Sequence, residues 1–197
     1  MKLSHFHVSL PKLGEKRCGD TVVIREEDDV AFLCVIDALG HGPAAADVAD
    51  RGRAFLSTVP LSKSVLAITE GLHGALRGTR GAAAMCCVLR SGRDVPQSLP
   101  RVEGCGVGNV ELRVLSSRVP VILTPGILGV SLQRTRVFEG PLAAGARLVM
   151  FSDGISPRME LDKYERLPVE HACKAMVERY RRSHDDATLL LADVEAS

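Results

Sequence analysis

The stretch Val30–Asp50, VAFLCVIDALGHGPAAADVAD, runs seven apolar residues into Asp37, passes through Ala38-Leu39-Gly40-His41-Gly42, and reaches Pro43 and three alanines. The apolar run reads as a core strand and the alanine-rich run after Pro43 as a helix start, since proline suits the first helical turn. A carboxylate at the rim of an apolar core is costly without a partner. No basic residue stands near Asp37 in sequence. Its partner has to come from distant parts of the chain or from outside it.

Working outward, Val22–Arg25 and Val30–Ile36 flank the polar turn Glu26-Glu27-Asp28-Asp29, a hairpin signal. The helix opened by Pro43 is expected to run to about Thr58. A second, from Ser62 to about Leu76, places Val65, Ile68, Leu72 and Leu76 on one stripe. Four segments then read as strands: Ala82–Leu89, Arg101–Val107, Val110–Leu115 and Pro120–Thr124. Val110-Glu-Leu-Arg-Val alternates, so one of its faces meets water. Arg147–Ser152 is a further apolar strand ending on Asp153-Gly154. Pro168 opens a helix with Val169, Ala172, Cys173, Met176, Val177 and Tyr180 at helical spacing, and Ala187–Val194 is the last strand. Strands on hairpin-scale connections with a few amphipathic helices predict an α+β layered fold, antiparallel sheets covered by helices.

The 197 residues show no repeat and no low-complexity linker, and are expected to form a single domain over 1–197. Hydrophobic residues make up 46% and the net charge is +1, so nothing global argues for nucleic acid or a membrane surface. The longest apolar run, Ala82–Leu89, is far too short to span a bilayer, and MKLSHFHVSLP lacks a signal-peptide core. Six cysteines without a CxxC pair, several inside apolar runs, read as reduced core residues of a cytoplasmic protein.

Carboxylates recur where strands begin or end. Asp20 opens the strand in CGDTVVI, Asp37 follows VAFLCVI, Asp153 follows LVMFS, and Asp185 and Asp186 precede ATLLLADV. Taken singly, an Asp-Gly after a strand is an ordinary turn. Taken together, they need a cation if the sheets gather them, because two carboxylates about 4 Å apart repel by about 4 kcal/mol at an effective dielectric of roughly 20. All-oxygen sites of this kind suit Mg2+ or Mn2+.

The segments CGDTVV, VIDALGHG, RGAAAMCCVL, GCGVGNVELRVL, TPGILGV, LVMFSDGI and HDDATLLLADV together resemble the metal-dependent serine/threonine protein phosphatases, the PP2C-like superfamily. The resemblance spans essentially the whole chain and is greatest to the bacterial sporulation-phosphatase branch and its small stressosome serine phosphatase. It implies an αββα sandwich of two antiparallel sheets flanked by helices, with two Mn2+ or Mg2+ ions in a cleft and a water between them attacking phosphorus. By the same resemblance the metal ligands are Asp20, Asp37, the carbonyl of Ala38, Asp153 and Asp185, with Asp37 shared by both ions and counted as catalytic. Asp186 is implied as a supporting neighbour, exchangeable with Asp185 by a one-residue shift. The implied substrate is a phosphorylated regulatory protein of a stressosome-type assembly, with neither nucleic acid nor membrane as partner.

Several positions stay open. His41 is either the catalytic acid for the leaving oxygen, an orienting group, or a solvent-facing loop residue. Asn109 holds a turn or touches substrate. Lys16 and Arg17 are the basic residues near the place where some relatives grip phosphate, and no extended flap insertion is apparent, which leaves substrate choice to the rim of the cleft. Lys174, Arg179, Arg181 and Arg182 read as the solvated polar side of the last helix, with a docking surface as the alternative. Cys87 and Arg93 fit C-x5-R, but a cysteine phosphatase needs its loop to lead into a helix, and Cys87 lies in an apolar strand. GCGVGN likewise leads into a strand, which excludes a dinucleotide loop. Two rival functions remain: a metal-free phosphatase-like binding module in a signalling complex, and a metal-dependent hydrolase of a small phosphoester.

Overall fold

A computed structural model describes residues 2–91 and 99–195. The chain begins with strands β1 (Leu3–Leu10), β2 (Asp20–Glu27) and β3 (Val30–Ala38), followed by helices α1 (Pro43–Thr58) and α2 (Val65–Ala75). Strands β4 (Ala82–Arg90), β5 (Arg101–Val107) and β6 (Glu111–Leu115) come next. The short strands β7 (Leu123–Thr124), β8 (Gly126–Ile127), β9 (Ser131–Leu132) and β10 (Phe138–Pro141) lead to β11 (Arg147–Phe151). A 3-10 turn at Leu161–Tyr164, helix α3 (Val169–Tyr180) and β12 (Ala187–Val194) complete it.

Two antiparallel-built sheets face each other. One runs β1-β12-β11-β6; the other runs β10-β5-β4-β3-β2, with β7 parallel to β5. The β3 run that opened the sequence is apolar without a break because both of its faces are covered. Ala31, Leu33 and Val35 meet Leu148, Met150, Leu190 and Ala192 of the opposite sheet. Phe32, Cys34 and Ile36 meet Val48 and Leu56 of α1 and Ile68 and Leu72 of α2. On the far side α3 lays Ala172, Cys173, Met176 and Val177 on Val149, Phe151, Leu189 and Leu191. The order of layers is therefore helix, sheet, sheet, helix, as the αββα expectation required.

Local chemistry explains the boundaries. Pro43 sits in the first turn of α1, whose fixed φ it supplies. The second helix starts at Val65 rather than Ser62 because the Ser64 hydroxyl accepts the Ala67 amide at 3.2 Å and caps it. The expected strand Pro120–Thr124 shrinks to Leu123–Thr124. Pro120 has no amide to give a ladder, and the Val121 amide turns back to the Val119 carbonyl at 2.9 Å. The pairs at β7–β9 and β10 were not anticipated; they turn residues 123–141 into a small lobe beside β5.

Arg181 and Arg182 correct the reading of a basic helix face. The helix ends at Tyr180, Arg181 is extended, and both guanidinium groups point back into the molecule. Arg181 donates to the Pro11 carbonyl at 2.6 Å and Arg182 to the Asp153 carbonyl at 3.1 Å. Cys87 is fully buried within β4, and its C-x5-R partner Arg93 lies outside the described residues. All six cysteines are free thiols. Among the described residues no helix is long and apolar enough to cross a membrane.

One buried cation fastens the α3 side. Arg147, 5% exposed, pairs across β11 and β12 with both oxygens of Asp193 at 2.6 and 2.7 Å. It also donates to the carbonyls of Tyr164 and Leu167 at 2.7 and 2.8 Å. Removing the guanidinium strands a partly buried carboxylate and two carbonyls, so Arg147→Ala is expected to cost about 3–5 kcal/mol in urea unfolding. A loss below about 1 kcal/mol would mean that solvent replaces these bonds.

Candidate functional site

The hairpin β2–β3 places Asp20 directly opposite Asp37 in register, at the end of the six-stranded sheet. The same end of the facing sheet carries Asp153, just after β11, and Asp185-Asp186, just before β12. Asp37 is influenced by Asp20, Asp153 and Asp185, and Asp20 by Asp186 and Asp153. The folded chain thus brings acids from four strand ends to one place, which no local part of the sequence could do.

Asp20 is 5% exposed. Its Oδ2 accepts the Ser152 hydroxyl at 2.6 Å, a bond that crosses from one sheet to the other. Ser152 in turn accepts the Thr188 amide at 2.9 Å. Oδ1 of Asp20 is buried with no hydrogen-bond partner. Burial, followed by repulsion from Asp186 and Asp153, pushes the Asp20 carboxyl up to about 7 against the stabilising bond from Ser152. Burial and then the charge of Asp20, Asp153 and Asp185 push Asp37 up to about 9.

The outer acids are differently held. Asp153 is exposed; its Oδ2 accepts the Asn109 amide at 2.8 Å, so Asn109 neither merely shapes a turn nor points into solvent. Desolvation and Asp185 raise its pKa, while Arg182, Asn109 and His184 lower it. Asp185 Oδ1 accepts the Asp186 amide at 2.9 Å. Asp186 is buried, and both its oxygens are committed to backbone: Oδ1 to the Lys12 amide at 2.7 Å, Oδ2 to the Gly19 amide at 2.8 Å. It ties the β1–β2 connection to the start of β12. Two glycines permit this closeness. A Cβ on Gly19 would come within 2.8 Å of Asp186 Oδ2, and one on Gly154 would collide with the Asp186 carbonyl oxygen.

His41 lies exposed in the loop after β3, between Lys12 and Glu15. Nε2 is 2.9 Å from Lys12 Nζ, and Nδ1 is 2.8 Å from Glu15 Oε1. A carboxylate only accepts, so Nδ1–H donates to Glu15 and Nε2 is the nitrogen turned to the ammonium. Lys12 was not singled out by sequence; a lone lysine after Ser-Leu-Pro carries no spacing signal. Arg17 is engaged elsewhere, bonded to Asp47 and Asp50 of α1 at 2.7 and 2.8 Å, and Lys16 is exposed. Ser152 was also missed, although a hydroxyl directly before the Asp153-Gly154 turn was the available hint. Ala38 closes β3 opposite Ala82, next to Asp37.

Among the described residues no three His, Cys, Asp or Glu side chains form a ready-made metal-holding group. Like charges explain the spread, since Asp153 leans on Asn109 and Asp185 on a backbone amide. The donor set nonetheless fits divalent metal. Asp20 keeps an orphaned buried oxygen, and the influences that dominate Asp20 and Asp37 are burial, other acids and hydroxyls, with no basic side chain among them. A hard cation with oxygen ligands relieves both conditions at once.

No family model and no curated protein sequence matches the chain. Solved structures do. A structure described as "The bacterial stressosome: a modular system that has been adapted to control secondary messenger signaling" matches with 31% identity, over 98% of this chain and 100% of that one, at a TM-score of 0.86. RsbX in complex with magnesium is 21% identical over 98% of this chain and 96% of its own, at 0.82. The PP2C domain of SiaA from Pseudomonas aeruginosa is 20% identical over 98% and 86%, at 0.73.

The raised acids set a pH dependence. Asp20 and Asp37 bind protons more tightly folded than unfolded. Metal-free protein therefore loses stability as pH rises from the unfolded value of 3.8 through about 7 and about 9. Each group contributes a slope of up to about 1.4 kcal/mol per pH unit. Metal-free protein is expected to melt lower at about pH 8 than at about pH 5, with Mn2+ raising the midpoint more at the higher pH. Asp20→Asn flattens both effects; a midpoint insensitive to Mn2+ at either pH would remove the case for a metal here.

Proposed function

We propose that this chain, which has the fold of the PP2C-like phosphatases, is a metal-dependent protein serine/threonine phosphatase with two Mn2+ or Mg2+ ions. Its substrate is a phosphorylated regulatory protein of a stress-signalling assembly of stressosome type, met in the cytoplasm, and residues 1–197 act as one catalytic domain. The observation that carries the reading is the orphaned oxygen of Asp20 set against Asp37, with Asp153 and Asp185 facing them from the other sheet. The stressosome structure at 31% identity and the magnesium complex of RsbX support the assembly and the type of ion.

Asp20, Asp37, the Ala38 carbonyl, Asp153 and Asp185 would hold the ions. When bound, the metals supply an acidified water and neutralise charge on the phosphoryl oxygens. The chain's own residues do the rest. Ser152 and Thr188 orient Asp20, Asn109 orients Asp153, and Asp186 holds the loop carrying Lys12 against the acids. Glu15 holds the His41 ring through Nδ1, which leaves Nε2, on the Lys12 side, as the nitrogen turned to the departing serine or threonine oxygen. Lys12, 2.9 Å from that nitrogen, adds positive charge at the mouth of the site for an incoming phosphate.

Release of phosphate from a phosphoserine peptide and from an aryl phosphate should depend on Mn2+. Asp37→Asn and Asp153→Asn should each remove turnover while leaving the far-ultraviolet dichroism unchanged. Asn109→Ala, which only frees Asp153, should cost about 10–100-fold in metal affinity or activity. No turnover with any divalent ion would favour the metal-free binding module instead. Turnover of the aryl ester alone would favour a small-phosphoester hydrolase.

A further inference from the structure

The small lobe after β6 frames a track that the acids do not use. A hollow of about 480 Å3 is lined by Asn109, Leu112, Arg113, Val121 and Leu123. A second, of about 410 Å3, is lined by Leu123, Thr124, Gln133, Arg134 and Arg136. Leu123 lines both, so the two hollows adjoin at that side chain. At the inner end is Asn109, whose amide touches Asp153; at the outer end are two arginines.

The charges along this path are unbalanced. Glu111 is the acid that lines it, and Arg113 neutralises that acid at 3.1 Å while donating to the Pro157 carbonyl and lying over the Phe151 ring. Arg134 and Arg136 are exposed, and among the described residues no carboxylate pairs with either. Their backbone is nevertheless fixed: the Arg136 amide donates to the hydroxyl of Thr124, 2% exposed, at 3.0 Å. Between the ends the lining is apolar, with Leu112, Val121 and Leu123, the last of them 36% exposed.

We propose that this track receives an acidic stretch of the protein that bears the phosphorylated side chain, its carboxylates meeting Arg134 and Arg136 while the phosphoresidue enters beside Asn109. The inference rests on the phosphatase reading and names the substrate class for it. Unpaired guanidinium groups are suited to carboxylates through paired hydrogen bonds. The apolar lining suits peptide side chains. A polynucleotide would need a longer row of cations than two, and the chain's net charge of +1 supplies no wider basic field.

The test uses the Mn2+-loaded full chain and the double variant Arg134→Glu/Arg136→Glu, with three substrates: an aryl phosphate, a phosphoserine peptide flanked by acidic residues on both sides, and its neutral counterpart. The variant should turn over the aryl phosphate and the neutral peptide as the wild type does. KM for the acidic peptide should rise about tenfold or more, as expected for reversed rim charges. Fluorescence anisotropy of the unphosphorylated acidic peptide, which needs no turnover, should show binding to the wild type that the variant loses. Equal KM values and equal anisotropy in both proteins would overturn the proposal, as would displacement of the peptide by single-stranded DNA at lower concentration than by unlabelled peptide. If the wild type turns over none of the substrates, the phosphatase reading fails, while the anisotropy still decides whether the track binds acidic chain.

Discussion

The repulsion between Asp20 and Asp37 is the constraint around which this molecule is arranged. Their register places two carboxylates side by side at the end of the hairpin, Asp20 buried and Asp37 half-buried, where water screens them poorly. Nothing about either residue favours this; the hairpin register does. β3 buries alternate residues against helices on one face and against a sheet on the other. A slip of one residue would send Phe32 and Leu33 to each other's layers, so the two acids cannot escape by sliding apart. The apolar core offsets an electrostatic cost concentrated at one end of the sandwich.

That end is also where the two sheets are joined by polar groups. Ser152 bonds to Asp20 across the interface and receives the Thr188 amide, so one hydroxyl links β2, β11 and β12. Asp186 links β12 to the β1–β2 connection through two backbone amides. Of the adjacent pair Asp185-Asp186, then, the second has no oxygen to spare, whereas the first has its Oδ2 free of any such bond. The distinction is one of hydrogen-bond capacity: among the described residues, Asp185 keeps the freer carboxylate of the two.

The loop residues behave by a different logic. His41 occupies a place set by its neighbours Lys12 and Glu15, which arrive from the β1–β2 connection. Arg17, in the same connection, is drawn to the acids of α1 instead. Four basic or titratable residues within one short connection and its facing loop thus divide between the mouth of the site and a helix face, according to which carboxylates the backbone path brings near.

Hydrophobic periodicity in the sequence determined the long elements and their faces. Unbroken runs such as VAFLCVI and AAAMCCVL mark strands covered on both sides, and 3.6-residue stripes mark the second and third helices, because burial dictates those patterns locally; Pro43 with its alanines marks the first. The acids at strand ends were legible for the same reason, as charges that interrupt an apolar period. Tertiary structure alone decided what has no local cause. It placed Asp20 and Asp37 opposite one another, turned Arg181 and Arg182 inward past the end of α3, set Lys12 on His41, and paired the two-residue strands of the small lobe. Each depends on contacts between residues far apart in the chain, and such contacts leave no period in the sequence that would announce them.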